Sequence, residues 1–225
     1  MIKEIIDIIF PGIAVPISWM WWMSASMIEY EITTPEKVCI ALGTFYHETQ
    51  GFTRFEESFN YLGKRGVVEG GNRLLKVFPS AFRVFPAEQR KYQAQMLVQK
   101  SENEIANFVY ARTGGWDCIG RGPIQLTGSE NYERYFKIFG KDLPTNLVSR
   151  PKYGSKSACM FMNDVFVLVN SMGISLKLIN FENPKDPVLL EIFKRVSGSG
   201  MANAARYRSV KKVYDVMVKL FNKNE

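Results

Sequence analysis

Hydrophobic residues recur with helical spacing along most of the chain. After Thr34-Pro35-Glu36, a sequence typical of a helix start, the apolar residues follow at i, i+3, i+4 and i+7 as Val38, Ala41, Leu42 and Phe45. This pattern predicts an amphipathic helix that carries His47 and Glu48 at its C-terminal end, where Gly51 can terminate it.

Further helices are predicted in the same way. Ser101–Glu104 reads as a capping box, Ser129 as a cap of a helix that Gly140 ends, Ser155 as the start of another helix, and about Asn203 as the start of the last. Their apolar stripes are predicted to face the core: Ile105, Phe108, Val109; Tyr132, Tyr135, Phe136, Phe139; Ala158, Phe161, Met162, Val165, Phe166, Val169; Tyr207, Val210, Tyr214, Met217, Val218 and Phe221. Only Phe59–Glu69 has a strand signal, enough for one small hairpin, with Gly63, Gly66, Gly70 and Gly71 as turn residues in and after it. We predict a mainly α protein, with residues 1–225 forming a single domain.

Composition is that of a soluble globular protein, with 46% hydrophobic and 23% charged residues among 225. An uncharged stretch from Ile8 to Met23 resembles a signal or anchor in length, but it contains two prolines and is short of the roughly 20 residues that span a bilayer. We therefore expect buried helices here, with Trp19, Trp21 and Trp22 in the core. The three cysteines, Cys39, Cys118 and Cys159, have no CxxC spacing and are expected to be reduced thiols.

Charge is unevenly distributed. Residues 1–59 contain three Lys or Arg and eight Asp or Glu, whereas the remainder contains 26 basic and 14 acidic residues. A basic body of this kind favours a polyanionic partner, whether nucleic acid, a membrane surface or an anionic cell-wall polymer.

The only histidine lies in the stretch His47-Glu48-Thr49-Gln50-Gly51. A zinc protease helix needs a second histidine four residues after the first, where this chain has Gly51. No GxSxG elbow or evident cysteine partner supports nucleophilic catalysis through His47 either. A metal site is therefore not expected.

Carboxylates offer a different chemistry. Glu48 lies among Phe45, Tyr46 and Phe52, a setting that would favour a protonated carboxyl, and Gly51 lets the chain turn before Glu56 and Glu57. Glycoside hydrolysis requires such a pair of carboxyl groups. Glu56 and Glu57 could equally be solvated loop charges. Gly120-Arg121-Gly122-Pro123, followed by Gln125 and Thr127, suits either sugar binding or an ordinary turn.

Five motifs in order complete the pattern: HETQGF from His47, ESFNY from Glu57, LLKVFP from Leu74, ANFVY from Ala106, and GRGPIQLT from Gly120 followed by Asn131-Tyr132. Over roughly residues 25–215 the chain resembles the family 19 chitinases, and more closely their bacteriophage endolysin branch. The resemblance implies a lysozyme-like bilobal fold with a cleft between the lobes. It also implies hydrolysis of a β-1,4 bond beside an N-acetylated sugar, with inversion and no cofactor or metal.

Residue by residue, the resemblance makes Glu48 the general acid, Glu57 the base that activates water, and Thr127 the residue that helps to hold that water. It assigns substrate binding to His47, Tyr61, Gln125, Asn131, Ser197 and Arg206. The chain departs from the family at Val196-Ser197-Gly198-Ser199, where Ile-Asn-Gly-Gly is usual, at Gln50, and in an insertion-like loop from Gly66 to Asn72.

These observations predict an endolysin that cleaves the glycan strand of bacterial peptidoglycan. We expect residues 1–225 to form a single catalytic domain without a separate wall-binding module. We expect it to be a monomer that neither binds nucleic acid nor inserts into membranes, and that reaches the cell wall from the host cytoplasm through a holin pore. A chitinase on the same fold is the nearest alternative. A non-catalytic protein that binds cell wall or nucleic acid is the alternative from another class.

Overall fold

Helices make up most of the computed structural model, which describes residues 5, 7, 8, 15–63, 66–197 and 203–221, without the side chains of Asn203 and Phe221. Within these ranges the α-helices are α1 Ile17–Glu29, α2 Pro35–Glu48, α3 Gly66–Val77, α4 Arg90–Leu97, α5 Glu102–Val109, α6 Ser129–Tyr135, α7 Pro151–Ser171, α8 Pro187–Ser197 and α9 Asn203–Phe221. Short 3₁₀ helices lie at Ala81–Val84, Gly115–Cys118, Lys137–Phe139, Thr145–Ser149 and Leu176–Leu178. None of the described residues forms a β-strand, and the mainly α fold class is confirmed.

Backbone contacts divide the chain into two compact units. Unit 1 comprises Met1–Phe55, Arg121–Gln125 and Asn146–Glu225. Unit 2 comprises Glu56–Gly120 and Leu126–Thr145. A single catalytic domain over residues 1–225 stays a prediction.

Unit 1 is built on two helix pairs, α2 with α9 and α1 with α7. The first pair is close because Gly43 of α2 has no side chain: a Cβ there would lie 2.7 Å from the Val210 backbone nitrogen of α9. In the second pair, the buried Trp19 ring lies against Gly154 of α7 and stacks on Phe55 with centroids 3.9 Å apart. Glycines at both crossings thus allow bulky neighbours to fill the core.

Unit 2 packs α3 against α4, and α5 against the 3₁₀ helix Gly115–Cys118. One buried cluster joins these elements, formed by Phe59, Tyr61, Leu74, Phe82, Ala94, Val98, Ile105, Ala106 and Ile119. Burial of such apolar side chains is the main favourable term in folding. Unit 2 therefore has a hydrophobic core of its own.

Two predicted helix starts are confirmed. Thr34 caps α2 by accepting a bond from the Lys37 backbone N–H, with Pro35 as the first helical residue. Ser101 and Glu104 form the capping box of α5. Both sequences satisfy backbone donors that the first helical turn leaves without partners.

Two other predicted starts are wrong. Gly128 precedes α6 and Ser129 is its first residue, without a side-chain cap; the helix ends at Tyr135, and Gly140 instead ends the 3₁₀ helix Lys137–Phe139. Helix α7 begins at Pro151, and Ser155 is buried inside it. Proline has the backbone angle of a first helical residue and lacks the N–H that would need a partner there, so it sets the start.

The hairpin suggested for Phe59–Glu69 is absent from the described part of that segment, and the loop expected from Gly66 to Asn72 is helix α3. The glycines that suggested turns have a packing role instead. A Cβ on Gly70 would lie 2.6 Å from the Tyr61 carbonyl oxygen, and one on Gly71 would lie 2.8 Å from the Gln95 Cα of α4. Close packing of the helix requires both glycines.

Most residues of the predicted apolar helix faces are buried or half-buried, with exceptions. Trp19 is buried, but Trp21 is 62% exposed, and Val218 is exposed at the outer side of α9. The Phe221 side chain lies outside the described residues, as do residues 9–14 of the apolar stretch from Ile8 to Met23. Cys39, Cys118 and Cys159 are buried, and no disulfide joins them. Among the described residues, no helix is both long and apolar enough to cross a membrane.

Candidate active site

Helix α2 ends at Glu48 in a tight reversal of the chain. Gln50 holds the left-handed position after the C-cap Thr49 that a glycine usually takes, so the predicted stop at Gly51 lies one residue too late. Gly51 has φ +83°, and its N–H donates to the Tyr46 carbonyl over 2.8 Å. Its neighbours Gln50 and Phe52 also have positive φ, 52° and 59°. Left-handed backbone is unfavourable for residues with a side chain and persists only where the surrounding structure enforces it. The strain lies directly after the predicted acid.

Glu48 forms an ion pair with Arg206 of α9. The Arg206 side chain is 4% exposed and the Glu48 side chain 21%, so the pair is largely shielded from water. The Arg206 guanidinium also lies 5.8 Å from the Phe193 ring centroid of α8. The ion pair joins one guanidinium nitrogen, Nη2, to one carboxylate oxygen, Oε1, and so anchors that oxygen by a charge-assisted hydrogen bond.

His47 precedes Glu48 and is half-buried. Burial lowers the pKa of His47 below its ordinary value, and the positive charges of Arg206 and Arg208 act in the same direction, whereas Glu48 opposes them. The imidazole is therefore held in its neutral form around pH 7.

Glu57, in unit 2, is held by donors from two other parts of that unit. The Tyr110 hydroxyl donates to its two carboxylate oxygens over 3.3 and 3.1 Å, and the Gly120 N–H donates to Oε2 over 3.2 Å. The Glu57 backbone N–H returns a bond to the Gly120 carbonyl over 2.8 Å. Burial raises the pKa of Tyr110, and the negative charge of Glu57 raises it further, so the phenol keeps its proton.

The GRGPIQLT motif is shared by the two units. Gln125, in unit 1, has φ +52° and donates its side-chain amide to the Gly122 carbonyl over 3.1 Å. Thr127, in unit 2, is half-buried, and the Asn131 amide donates to its carbonyl over 2.8 Å. The loop thus orders Gln125, Thr127 and Asn131 through local bonds.

Two predicted binding residues are engaged internally. The Tyr61 ring is 9% exposed and lies among aromatic rings, with centroids 6.5 Å from Phe59 and 6.4 Å from Phe78. Ser197, at the end of α8, donates its hydroxyl to the Phe193 carbonyl over 2.8 Å. Neither contact by itself points to a ligand.

The structure brings His47, Glu48 and Arg206 together in unit 1 and Glu57, Tyr110 and Gly120 together in unit 2. Sequence reasoning gave no role to Tyr110, although it ends the ANFVY motif; a contact across 53 residues has no local signal. The described residues contain no cluster of three or more His, Cys, Asp or Glu side chains that could hold a metal ion. Each unit thus contains one glutamate whose carboxyl group is held by its own partners.

Comparison with known proteins gives a partial match. The chain is 35% identical over 108 residues to a curated protein of Haemophilus influenzae named glycosyl hydrolase family 19 domain-containing protein. The match covers 43% of this chain and 46% of that protein, so the chain spans about half the length of the relative. No protein-family model matches the chain.

Proposed function

We propose that this chain is a family 19 glycoside hydrolase, specifically an endolysin that hydrolyses β-1,4 bonds in the glycan strand of peptidoglycan with inversion. Two glutamates, each fixed by its own partners, are the observation that carries the proposal. The similarity to the Haemophilus influenzae protein supports the same class of enzyme.

Glu57 is the proposed base. Donors from Tyr110 and Gly120 favour a charged carboxylate, the form that removes a proton from water. As the proposed base, Glu57 accepts a hydrogen bond from that water, and the Thr127 hydroxyl is the second group proposed to hold it.

Glu48 is the proposed general acid. Its ion pair with Arg206 is the contact of an ionised carboxylate, so the role requires Glu48 to take up a proton before it protonates the leaving oxygen. Arg206, which the resemblance assigns to substrate binding, then has a second function, because it anchors the Glu48 carboxyl group while that group gains and loses its proton. His47, held neutral, can donate or accept a hydrogen bond to a sugar without adding charge.

The other proposed glycan-binding groups are Tyr61, Gln125, Asn131 and Ser197. Amide and hydroxyl side chains suit sugar hydroxyls and N-acetyl groups because they both donate and accept hydrogen bonds. Two-carboxylate hydrolysis needs no cofactor. We propose a monomer that is released from the host cytoplasm through a holin pore and binds the glycan strand rather than nucleic acid.

Lysis of permeabilised Gram-negative cells tests the proposal. We expect the wild type to clear a cell suspension and to release reducing ends from purified peptidoglycan. Glu48→Gln and Glu57→Gln should each lower the rate by about 10²-fold or more, since each removes a proton-transfer group that contributes roughly 10² to 10⁴.

Glu56→Gln is the matched control, because it makes the same change one residue away. If Glu56→Gln abolishes activity and Glu57→Gln retains it, Glu56 rather than Glu57 is the base. Full lysis by Glu48→Gln would refute the acid assignment.

Chitin oligomers and purified peptidoglycan, assayed side by side, separate the alternatives. Cleavage of chitin alone would make the protein a chitinase. Retention on peptidoglycan without released reducing ends would favour a non-catalytic wall-binding protein, and salt-sensitive retention on DNA would favour a nucleic-acid-binding protein.

A further inference from the structure

We infer that Tyr110 is a positioning residue for the base Glu57: its hydroxyl holds the carboxylate charged and in one orientation. The inference rests on the proposed function, since it gives Tyr110 a role in the same reaction.

The first support is the geometry of the hydrogen bonds. The Tyr110 hydroxyl lies within 3.3 Å of both Glu57 carboxylate oxygens, and the Gly120 N–H donates to Oε2 over 3.2 Å. A carboxylate that accepts several donors is stabilised in its charged form. The side chain is also prevented from rotating, because the donors come from two different elements.

The second support is the rigidity of the donor. Tyr110 follows α5, and its ring makes edge contacts with Phe59 and Phe78, at centroid distances of 6.0 and 5.5 Å. This packing fixes the ring independently of the hydroxyl. Removal of the hydroxyl therefore leaves the ring in place, and Tyr110→Phe tests the hydrogen bond alone.

The third support is the protonation state. Burial raises the pKa of Tyr110, and the neighbouring Glu57 charge adds to the shift, so the phenol remains a donor across the working pH range. A buried lysine or histidine could lose its charge in that range, whereas the phenol has no charge to lose. Tyr110 therefore keeps its hydroxyl proton to donate over the whole pH range in which the Glu57 carboxyl gains or loses a proton.

Steady-state hydrolysis of purified peptidoglycan by Tyr110→Phe is the test. We expect kcat to fall about tenfold with KM little changed, and the acid limb of the pH–rate profile to move to higher pH, because the carboxylate has lost a donor to its charged form. Tyr92→Phe is the matched control: it removes the hydroxyl of an exposed tyrosine of the same unit and should match the wild type.

Unchanged kinetics in Tyr110→Phe would overturn the inference. A lower kcat with an unmoved acid limb would also overturn it, because a merely structural loss scales the profile without shifting it. If Glu57→Gln stays active while the wild type hydrolyses peptidoglycan, the base assignment fails and the inference fails with it.

A readout without substrate separates failure of the inference from failure of the proposed function. Carbon-13 NMR of the Glu57 carboxyl should give a titration midpoint at higher pH in Tyr110→Phe than in the wild type. Equal midpoints would refute the inference even if the enzyme is active. A shifted midpoint in a protein that hydrolyses nothing would refute only the proposed function.

Discussion

His47 is the single histidine of the chain, and its surroundings predict how it titrates. Burial together with Arg206 and Arg208 lowers the pKa of His47, so the folded protein binds a proton there less readily than the unfolded chain. Its contribution to stability is then complete above about pH 6.5, the ordinary value, and is lost as the pH falls through the folded-state pKa.

A proton NMR titration measures this directly, because only one histidine resonance is present. We predict a midpoint below 6.5 in the folded protein and near 6.5 in urea. His47→Gln should remove the corresponding pH dependence from the free energy of unfolding. A folded-state midpoint at or above 6.5 would contradict the prediction.

Individual residues show how far sequence reasoning reaches. The position of Glu48 at a helix end was predictable, because the apolar face of the helix and the chain reversal near Gly51 both have local signals. Its partner Arg206 and the Glu57 donor Tyr110 are 158 and 53 residues away along the chain. Spacing along the sequence does not indicate partners that are so far apart. The resemblance therefore named Arg206 but not its ion pair with Glu48, and it gave Tyr110 no role.

At the scale of elements, the crossing of α2 and α9 depends on Gly43. Alanine normally stabilises a helix interior by about 1 kcal/mol relative to glycine. Here the added methyl group would clash with the Val210 backbone, so Gly43→Ala should instead lower the free energy of unfolding by about 1–3 kcal/mol.

Urea unfolding checks this prediction. The double variant Gly43→Ala with Val210→Ala should not be rescued, because the nearest atoms include the Val210 Cα and backbone nitrogen. A more stable Gly43→Ala protein would show that the helices can move apart without cost.

Elements also show why some sequence predictions were wrong. Capping residues act on the adjacent turn, and the starts of α2 and α5 were therefore predictable. Gly70 and Gly71 suggested turns, but they are required by contacts with Tyr61 and Gln95, which sequence does not reveal. Glycine allows either backbone angles that other residues avoid or a neighbour packed so closely that no side chain fits, and only the structure distinguishes the two cases.

At the scale of the whole molecule, the net charge of +7 predicts how the protein would bind its proposed substrate. An anionic wall polymer should attract it, and salt should weaken that attraction because surface charges are screened beyond about 8 Å at physiological ionic strength. We predict that binding of Glu48→Gln to purified cell walls falls several-fold between about 50 mM and about 500 mM NaCl.

Co-sedimentation with insoluble walls measures this binding, and uncharged chitin beads serve as the control polymer. Binding to both materials should be compared at each salt concentration. Salt-independent retention on the walls would show that hydrogen bonds and apolar contacts, rather than net charge, dominate wall affinity.

The three buried cysteines can report how the two units unfold. Cys39 and Cys159 lie in unit 1 and Cys118 in unit 2, and burial raises the pKa of Cys39 to about 12. Alkylating reagents attack thiolates, so labelling must wait until a unit opens. Mass spectrometry of the labelled peptides along a urea series would then show whether both units open in one step or one opens first.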